Sequence, residues 1–168
     1  FAMSHGVHRG ILKKGKFDDR EIFINKVVKK SPNIRFDLYG MNNKQPIWAD
    51  NFIDIISQSK IGLNLSQGKA AKYYSSDRFA QLIGNGLLVM IHENTKFGDF
   101  FNKEEIVLYK DLNDLSKKIQ YYSNNDEERK KMAKKGRDKY FKFFNSTIIA
   151  DFIINKTFSK KHKKFYWE

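Results

Sequence analysis

The sequence predicts an α/β fold, a doubly wound parallel sheet with a helical C-terminal end, and two observations carry that expectation. The first is residues 60–92, KIGLNLSQGKAAKYYSSDRFAQLIGNGLLVMIH. A short apolar run (Ile61, Leu63, Leu65) breaks into a polar loop, and a helix start at Ser75, Ser76 and Asp77 follows. That helix carries Phe79, Leu82 and Ile83 on one face, stops at Gly84-Asn85-Gly86, and yields to a second apolar run at 87–91. Strand, loop, helix, glycine stop and strand make a βαβ unit, whose crossover helix requires parallel strands. The second observation is that strand-like and helix-like segments alternate along the rest of the chain, with no internal repeat.

In chain order, residues 1–5 read as the end of a strand that enters a loop, 5–10, holding Gly6, Gly10, His5, His8 and Arg9, with Lys13, Lys14 and Lys16 after it. A glycine turn followed by basic residues is a candidate phosphate cradle; the alternative is a solvated loop. Residues 18–30 form an amphipathic helix capped by Asp18 and Asp19, with Ile22, Phe23 and Val27 inward, ended by Ser31-Pro32. Residues 34–40 alternate as a strand ending in Gly40. A loop, 41–48, contains Pro46 and Trp48; then Asp50 caps a helix through Ser57 with Phe52, Ile53, Ile55 and Ile56 toward the core. Beyond the central unit come a loop or short helix (94–101), a strand (105–109), and a helix capped by Asp111 carrying Leu115, Ile119 and Tyr122. Asp126, Glu127 and Glu128 open a strongly basic helix, acids at its positive end, with Met132, Ala133, Tyr140, Phe141 and Phe144 as its packing stripe. Residues 145–158 form a last helix before a basic tail. The expected division is a nucleotide-binding domain over 1–145 and a C-terminal helix and tail over 146–168.

Composition bounds the function. The 168 residues suffice for one substantial core, and no cysteine is present, which excludes disulfides, thiolate zinc sites and thiol catalysis and fits a cytoplasmic protein. The longest purely apolar run is far shorter than the ~20 residues of a membrane helix. A net charge of +13 points to anionic partners, namely nucleotide phosphates, nucleic acid or an acidic membrane face. The plainer alternative is a solvated basic surface.

In a parallel α/β sheet, ligands bind at the carboxyl edge, which here is residues 64–78. Lys69, Lys72 and Arg78 supply charge, and Ser66, Tyr73, Tyr74, Ser75 and Ser76 supply hydroxyls. The first-turn N–H groups of the helix face the same place, an arrangement suited to an anion.

The ordered series Phe36-Asp37-Leu38-Tyr39-Gly40, then Ile61-Gly62-Leu63-Asn64-Leu65-Ser66, then Ser76-Asp77-Arg78-Phe79-Ala80-Gln81-Leu82-Ile83-Gly84-Asn85-Gly86-Leu87-Leu88-Val89 resembles the C-terminal donor-binding domain of GT-B glycosyltransferases. It is most similar to the group 1 and spore-maturation-protein-like kinds. Glu105-Ile106-Val107-Leu108-Tyr109, Asp114-Leu115, Glu128-Arg129 and Ala133-Lys134-Lys135-Gly136 extend the resemblance, which covers roughly 34–150. It implies the C-terminal, Rossmann-like half of a GT-B fold, with the N-terminal acceptor domain missing from this chain. It also implies a nucleotide-sugar as donor substrate, no metal and no other cofactor, and an acceptor hydroxyl as the partner in transfer.

The resemblance further implies roles. Gly6, Arg9 and Lys14 would meet the diphosphate; Ser66, Tyr74, Ser75 and Ser76 would surround phosphates and sugar. Asp77 would accept from donor-sugar hydroxyls or serve only the helix start, and Arg78 would touch phosphate or simply hold Asp77. Tyr39 or Trp48 would stack on the nucleobase, ordinary loop packing being the alternative for Trp48. Only one of Tyr73 and Tyr74 is expected to touch the donor. Gln81 departs from the pattern, since relatives place there a glutamate that binds ribose hydroxyls. Glutamine keeps hydrogen bonding and loses charge. No catalytic base is assigned; His5 and His8 are the histidines expected near the site. The competing class is a basic nucleic-acid binder resting on the aromatic-basic tail 160–167, though no recognised nucleic-acid motif supports it. A third partner is an anionic membrane surface against which the basic face would dock, at the inner side of the membrane.

Overall fold

The computed structural model describes residues 2–3, 19–66, 70–74, 76–160 and 164–168. Among these, five strands and six α-helices alternate. They are β1 (Ala2–Met3), α1 (Arg20–Lys30), β2 (Leu38–Tyr39), α2 (Ala49–Ser57), β3 (Ile61–Asn64) and α3 (Asp77–Gly84). After them come β4 (Leu88–His92), β5 (Val107–Tyr109), α4 (Leu112–Asn124), α5 (Asp126–Phe143) and α6 (Ser146–Thr157).

All described strand pairs are parallel. β1 pairs with β2 through Ala2↔Leu38, β3 with β4 through Ile61↔Leu88 to Asn64↔Ile91, and β4 with β5 through Met90↔Val107 to His92↔Tyr109. The two- and three-stranded sheets abut where β1 lies beside β3. The chain therefore winds outward in one direction through α1 and β2, and in the other through α3 and β4. The carboxyl ends of β1 and β3 flank the point of reversal, where open α/β sheets form a crevice.

Burial on both faces explains the apolar runs. Leu88 and Met90 point into a core with Ile24 and Val27 of α1 and Leu115 and Ile119 of α4, while Val89 and Ile91 enter a second core with Ile56, Phe79, Leu82, Ile83, Phe97 and Phe101. Close approach of backbone requires glycine at 136, and close approach of a side chain favours it at 62. A Cβ on Gly62 would lie 2.8 Å from the Leu82 side chain, and one on Gly136 would lie 2.2 Å from the Glu105 carbonyl oxygen. α5 thus presses directly on the backbone that leads into β5. That outer strand is closed by α4, because Lys118 Nζ donates to the Leu108 carbonyl (2.7 Å) and to Asp114 Oδ2 (2.8 Å).

The helix of the central unit follows the expectation: Ser76 is its N-cap, and its last residue is Gly84. Asp111 caps α4 by accepting from the Asn113 and Asp114 N–H groups, and Asn145 caps α6 by accepting from Ile148 N–H.

Several expectations need correction. The strand at 34–40 shortens to Leu38–Tyr39, which pair with the described residues Ala2 and Met3; Arg35 and Asp37 instead pair with each other. The 105–109 strand begins at Val107. α1 starts at Arg20, and Asp19 holds the N-cap position without a side-chain capping bond; Asp18 lies outside the described residues. Ile22 is exposed while Ile24 and Val27 fill the core. In α2 the N-cap is Trp48 and Asp50 sits in the first turn. Only Ile56 is buried there, Phe52 and Ile55 are half-buried and Ile53 is exposed, so the helix is turned with 52, 55 and 56 inward. Phe141 of the α5 stripe is likewise exposed.

α6 buries none of its residues. The tail folds back on α5: the Tyr166 ring stacks on Phe143 at 4.4 Å, and Trp167 on Phe144 at 5.4 Å. The rings that a nucleic-acid reading would offer to bases are thus engaged within the chain. No helix among the described residues is long and apolar enough to cross a membrane.

Candidate functional site

The site is built on the carboxyl edge of β3. Asn64, its last residue, is only 4% exposed, a polar side chain closing an otherwise apolar strand. A buried amide requires partners, and the Ser76 hydroxyl donates to Asn64 Oδ1 at 3.2 Å. That bond has a consequence for α3. Ser76 occupies the N-cap position, yet its side chain does not cap the helix. The first-turn N–H groups of α3 therefore take no bond from the N-cap side chain, and the acid at that end is Asp77.

Arg78, half-buried in the first turn, donates from Nη1 to the Leu65 carbonyl at 2.9 Å. This bond spans from the end of β3 to the start of α3 and fixes a guanidinium beside the helix terminus. Asp77 is exposed, while Gln81, one turn on, is half-buried; the two lie on one side of the helix. Ser66 is half-buried where the chain leaves β3.

The tyrosine pair divides. Tyr73 N–H donates to the Thr95 carbonyl at 2.8 Å, its hydroxyl donates to Asp99 Oδ2 at 2.7 Å, and its ring lies 4.9 Å from Phe100. Tyr74 is 49% exposed. At the neighbouring strand end, Tyr39 is half-buried and followed by Gly40 at φ +68°. Trp48 is 68% exposed, so the packing alternative for it does not hold.

The structure thus brings Ser66, Ser76, Asp77, Arg78 and Gln81 together at the β3–α3 junction, with Tyr74 just before the helix. Tyr39 and Trp48 belong to the β2–α2 connection. Gly6, Arg9, Lys14 and Ser75, together with His5 and His8, lie outside the described residues.

Sequence reasoning placed Asn64 at the start of this edge without giving it a role, and it missed one participant. His92 closes β4 on the same edge, which corrects the expectation that only His5 and His8 stand near the site. Its Nδ1 accepts from Asn94 N–H at 3.1 Å, so in the neutral ring Nε2 carries the proton. Its ring meets Tyr109 edge-on at 5.2 Å. Burial pushes the Tyr109 hydroxyl far above its ordinary value, so it stays protonated.

A cavity of about 820 Å³ opens elsewhere, beside β5, floored by Ile106, Val107 and Met132 and rimmed by Lys103, Lys131 and Lys135. None of the expected site residues lines it.

Comparison with known proteins places the fold. Among the solved structures that share the fold are two that serve for comparison. One is the Anabaena HepE protein in complex with UDP, with TM-score 0.66, 11% identity, 95% of this chain and 49% of that chain covered. The other is a glycosyltransferase from Rickettsia africae, with TM-score 0.66, 12% identity, and coverages of 96% and 48%. The chain therefore spans about half the length of each. No curated protein sequence matches it. The doubly wound parallel sheet with its helical C-terminal extension is the Rossmann-like C-terminal half expected of a GT-B fold. A model of the glycosyl transferase-like family matches residues 20–155, and the chain belongs to that family.

Proposed function

We propose that this chain is the donor-binding half of a glycosyltransferase, holding a nucleotide-diphosphate sugar at the β3–α3 edge for transfer of the sugar to an acceptor hydroxyl. The observation that carries the reading is the α3 N-terminus. Ser76 turns its hydroxyl into Asn64 instead of onto the helix, and Arg78 is braced against Leu65 beside it. A helix end whose first-turn N–H groups take no bond from the N-cap side chain, with a guanidinium alongside, suits a diphosphate, even with Asp77 in that turn. Such a site stabilises the charge that builds on a diphosphate leaving group, which is how transfer proceeds without a metal. HepE was solved with UDP, which makes a uridine donor the first to test. The acceptor-binding half, and with it the base that activates the acceptor, would lie outside this chain.

The test is a thermal-shift screen in moderate salt against UDP, GDP, TDP, ADP and CMP, their sugar conjugates, and a short oligonucleotide. One nucleoside diphosphate should raise the melting temperature and keep doing so at higher salt, because a ligand that binds only the folded state stabilises it. Stabilisation by the oligonucleotide alone, abolished by salt, would overturn the reading in favour of polyanion binding.

A further inference from the structure

We propose that Tyr73 is a positioning residue, a latch that pins the end of the β3–α3 loop to the β4–β5 connection and so sets where Tyr74 and the α3 N-terminus stand. The inference rests on the donor-site reading and deepens it.

Tyr73 has φ +59°, a left-handed conformation that a bulky residue adopts only when its surroundings hold it there. Three different interactions do so. Its N–H bonds the Thr95 carbonyl, its hydroxyl bonds Asp99 Oδ2, and its ring tilts onto Phe100 with centroids 4.9 Å apart. Lys72 Nζ lies 4.7 Å from the ring centroid on the same side chain.

The other half of the latch is fixed. Thr95 is fully buried, and its hydroxyl donates to the His92 carbonyl at 2.7 Å. Phe97 and Phe101 are buried in the second core, and Phe100 N–H bonds the Phe97 carbonyl. From the far side, Tyr166 OH reaches the Phe100 carbonyl at 3.3 Å. The loop end is thus held at two points: Tyr73 to the β4–β5 connection, and Ser76 to Asn64 at the end of β3. Tyr74 stands between them with its ring exposed.

Packing alone would be served by phenylalanine at position 73. The hydroxyl bonded to Asp99 adds direction, and it is the part of the contact that a positioning role needs.

The full chain and its Tyr73→Phe, Asp99→Ala and Asp99→Asn variants are titrated with UDP, GDP, TDP, ADP and CMP, with melting temperatures recorded alongside. Tyr73→Phe and Asp99→Ala should weaken the preferred nucleotide about tenfold while leaving the fold intact, since a site loses affinity when its supporting contacts loosen. Asp99→Asn, which retains an acceptor for the phenol, should stay within about threefold. Hydrogen exchange at residues 70–74, read without nucleotide, should speed up in Tyr73→Phe. Unchanged affinity in Tyr73→Phe and Asp99→Ala, or unchanged exchange at 70–74, overturns the latch while the donor site stands. A wild-type chain that binds none of the five nucleotides overturns the donor-site reading, and the latch with it.

Discussion

Asn25 on α1 and Asn42 in the loop after β2 hold each other by two reciprocal amide hydrogen bonds, of 3.0 and 2.9 Å. Asn42 N–H also donates to Glu21 Oε1 at 3.0 Å, from a backbone at φ +50°. The loop that carries Trp48 is therefore bolted to α1 through a residue type that tolerates the left-handed region. Asn42→Ala should destabilise the chain by about 1 to 2 kcal/mol, combining backbone strain with lost hydrogen bonds. Asn42→Gly, which keeps the backbone and loses only the amide, should cost roughly half as much. Urea unfolding of both variants checks the difference, and equal costs would show that the backbone conformation contributes nothing.

Gly136→Ala places a methyl group 2.2 Å from the Glu105 carbonyl oxygen. The obstacle is backbone, and its neighbourhood is tied by the Lys139–Glu105 ion pair at 2.8 Å, both side chains 14% exposed. α5 must shift off β5, at a cost of roughly 2 kcal/mol or more. The urea midpoint reads this directly; a midpoint at the wild-type value would mean that α5 moves freely.

Arg78→Ala removes the guanidinium beside α3 together with its brace to Leu65. Nucleoside diphosphate binding should weaken by on the order of 1 to 3 kcal/mol, the range for hydrogen bonds to charged groups. Arg78→Lys should recover only part of this, because an ammonium cannot brace and contact a phosphate in the same forked geometry. Isothermal titration separates the two variants, and full affinity in Arg78→Ala takes the residue out of the site.

Trp48→Ala tests the nucleobase assignment cleanly because the ring is 68% exposed. Stability should move by less than about 0.5 kcal/mol, as for other surface substitutions. Nucleotide affinity should fall by about 1 kcal/mol if the ring stacks on the base. Loss of stability without loss of affinity would reverse that assignment.

Acid should loosen the start of α5. Hydrogen bonds from Lys60 Nζ and then Arg129, each 3.1 Å, hold the Asp126 carboxyl below the usual carboxylate range. Its folded pKa thus lies below the unfolded value of about 3.9, so its contribution is present above that value and is lost as pH falls through the folded pKa. Asp126→Asn should flatten part of the decline in stability between neutral pH and about pH 3. Urea midpoints at both pH values measure the slope; an unaltered slope would assign the acid sensitivity to other carboxylates, such as Glu104 and Asp114.

Local chemistry was the legible part of this chain. Asp111 announces the start of α4 because an N-cap side chain acts within three residues of itself, and Gly84 to Gly86 mark a stop that is equally local. The length of β2 was not legible, since an apolar alternation does not say how far its ladder runs. Ile22 and Ile53 face outward although apolar, because helix rotation is set by the partners a helix meets. At the site, the β3–α3 junction could be placed from its own residues. The roles of Tyr73 and His92 depend on Thr95, Asp99 and Tyr109, contacts across chain separations that no short motif encodes.

The bond from Lys118 to the Leu108 carbonyl has a meaning beyond the fold it closes. β5 is the outermost described strand on its side of the sheet, and an outer strand with free carbonyls is a template on which another chain can add. Here one such carbonyl is occupied by an ammonium that is also held by Asp114. An incoming strand would have to break that bond and approach a cation with its own N–H groups. On this side the described sheet thus meets a newcomer with a cation in place of one free acceptor, which disfavours edge-to-edge addition there.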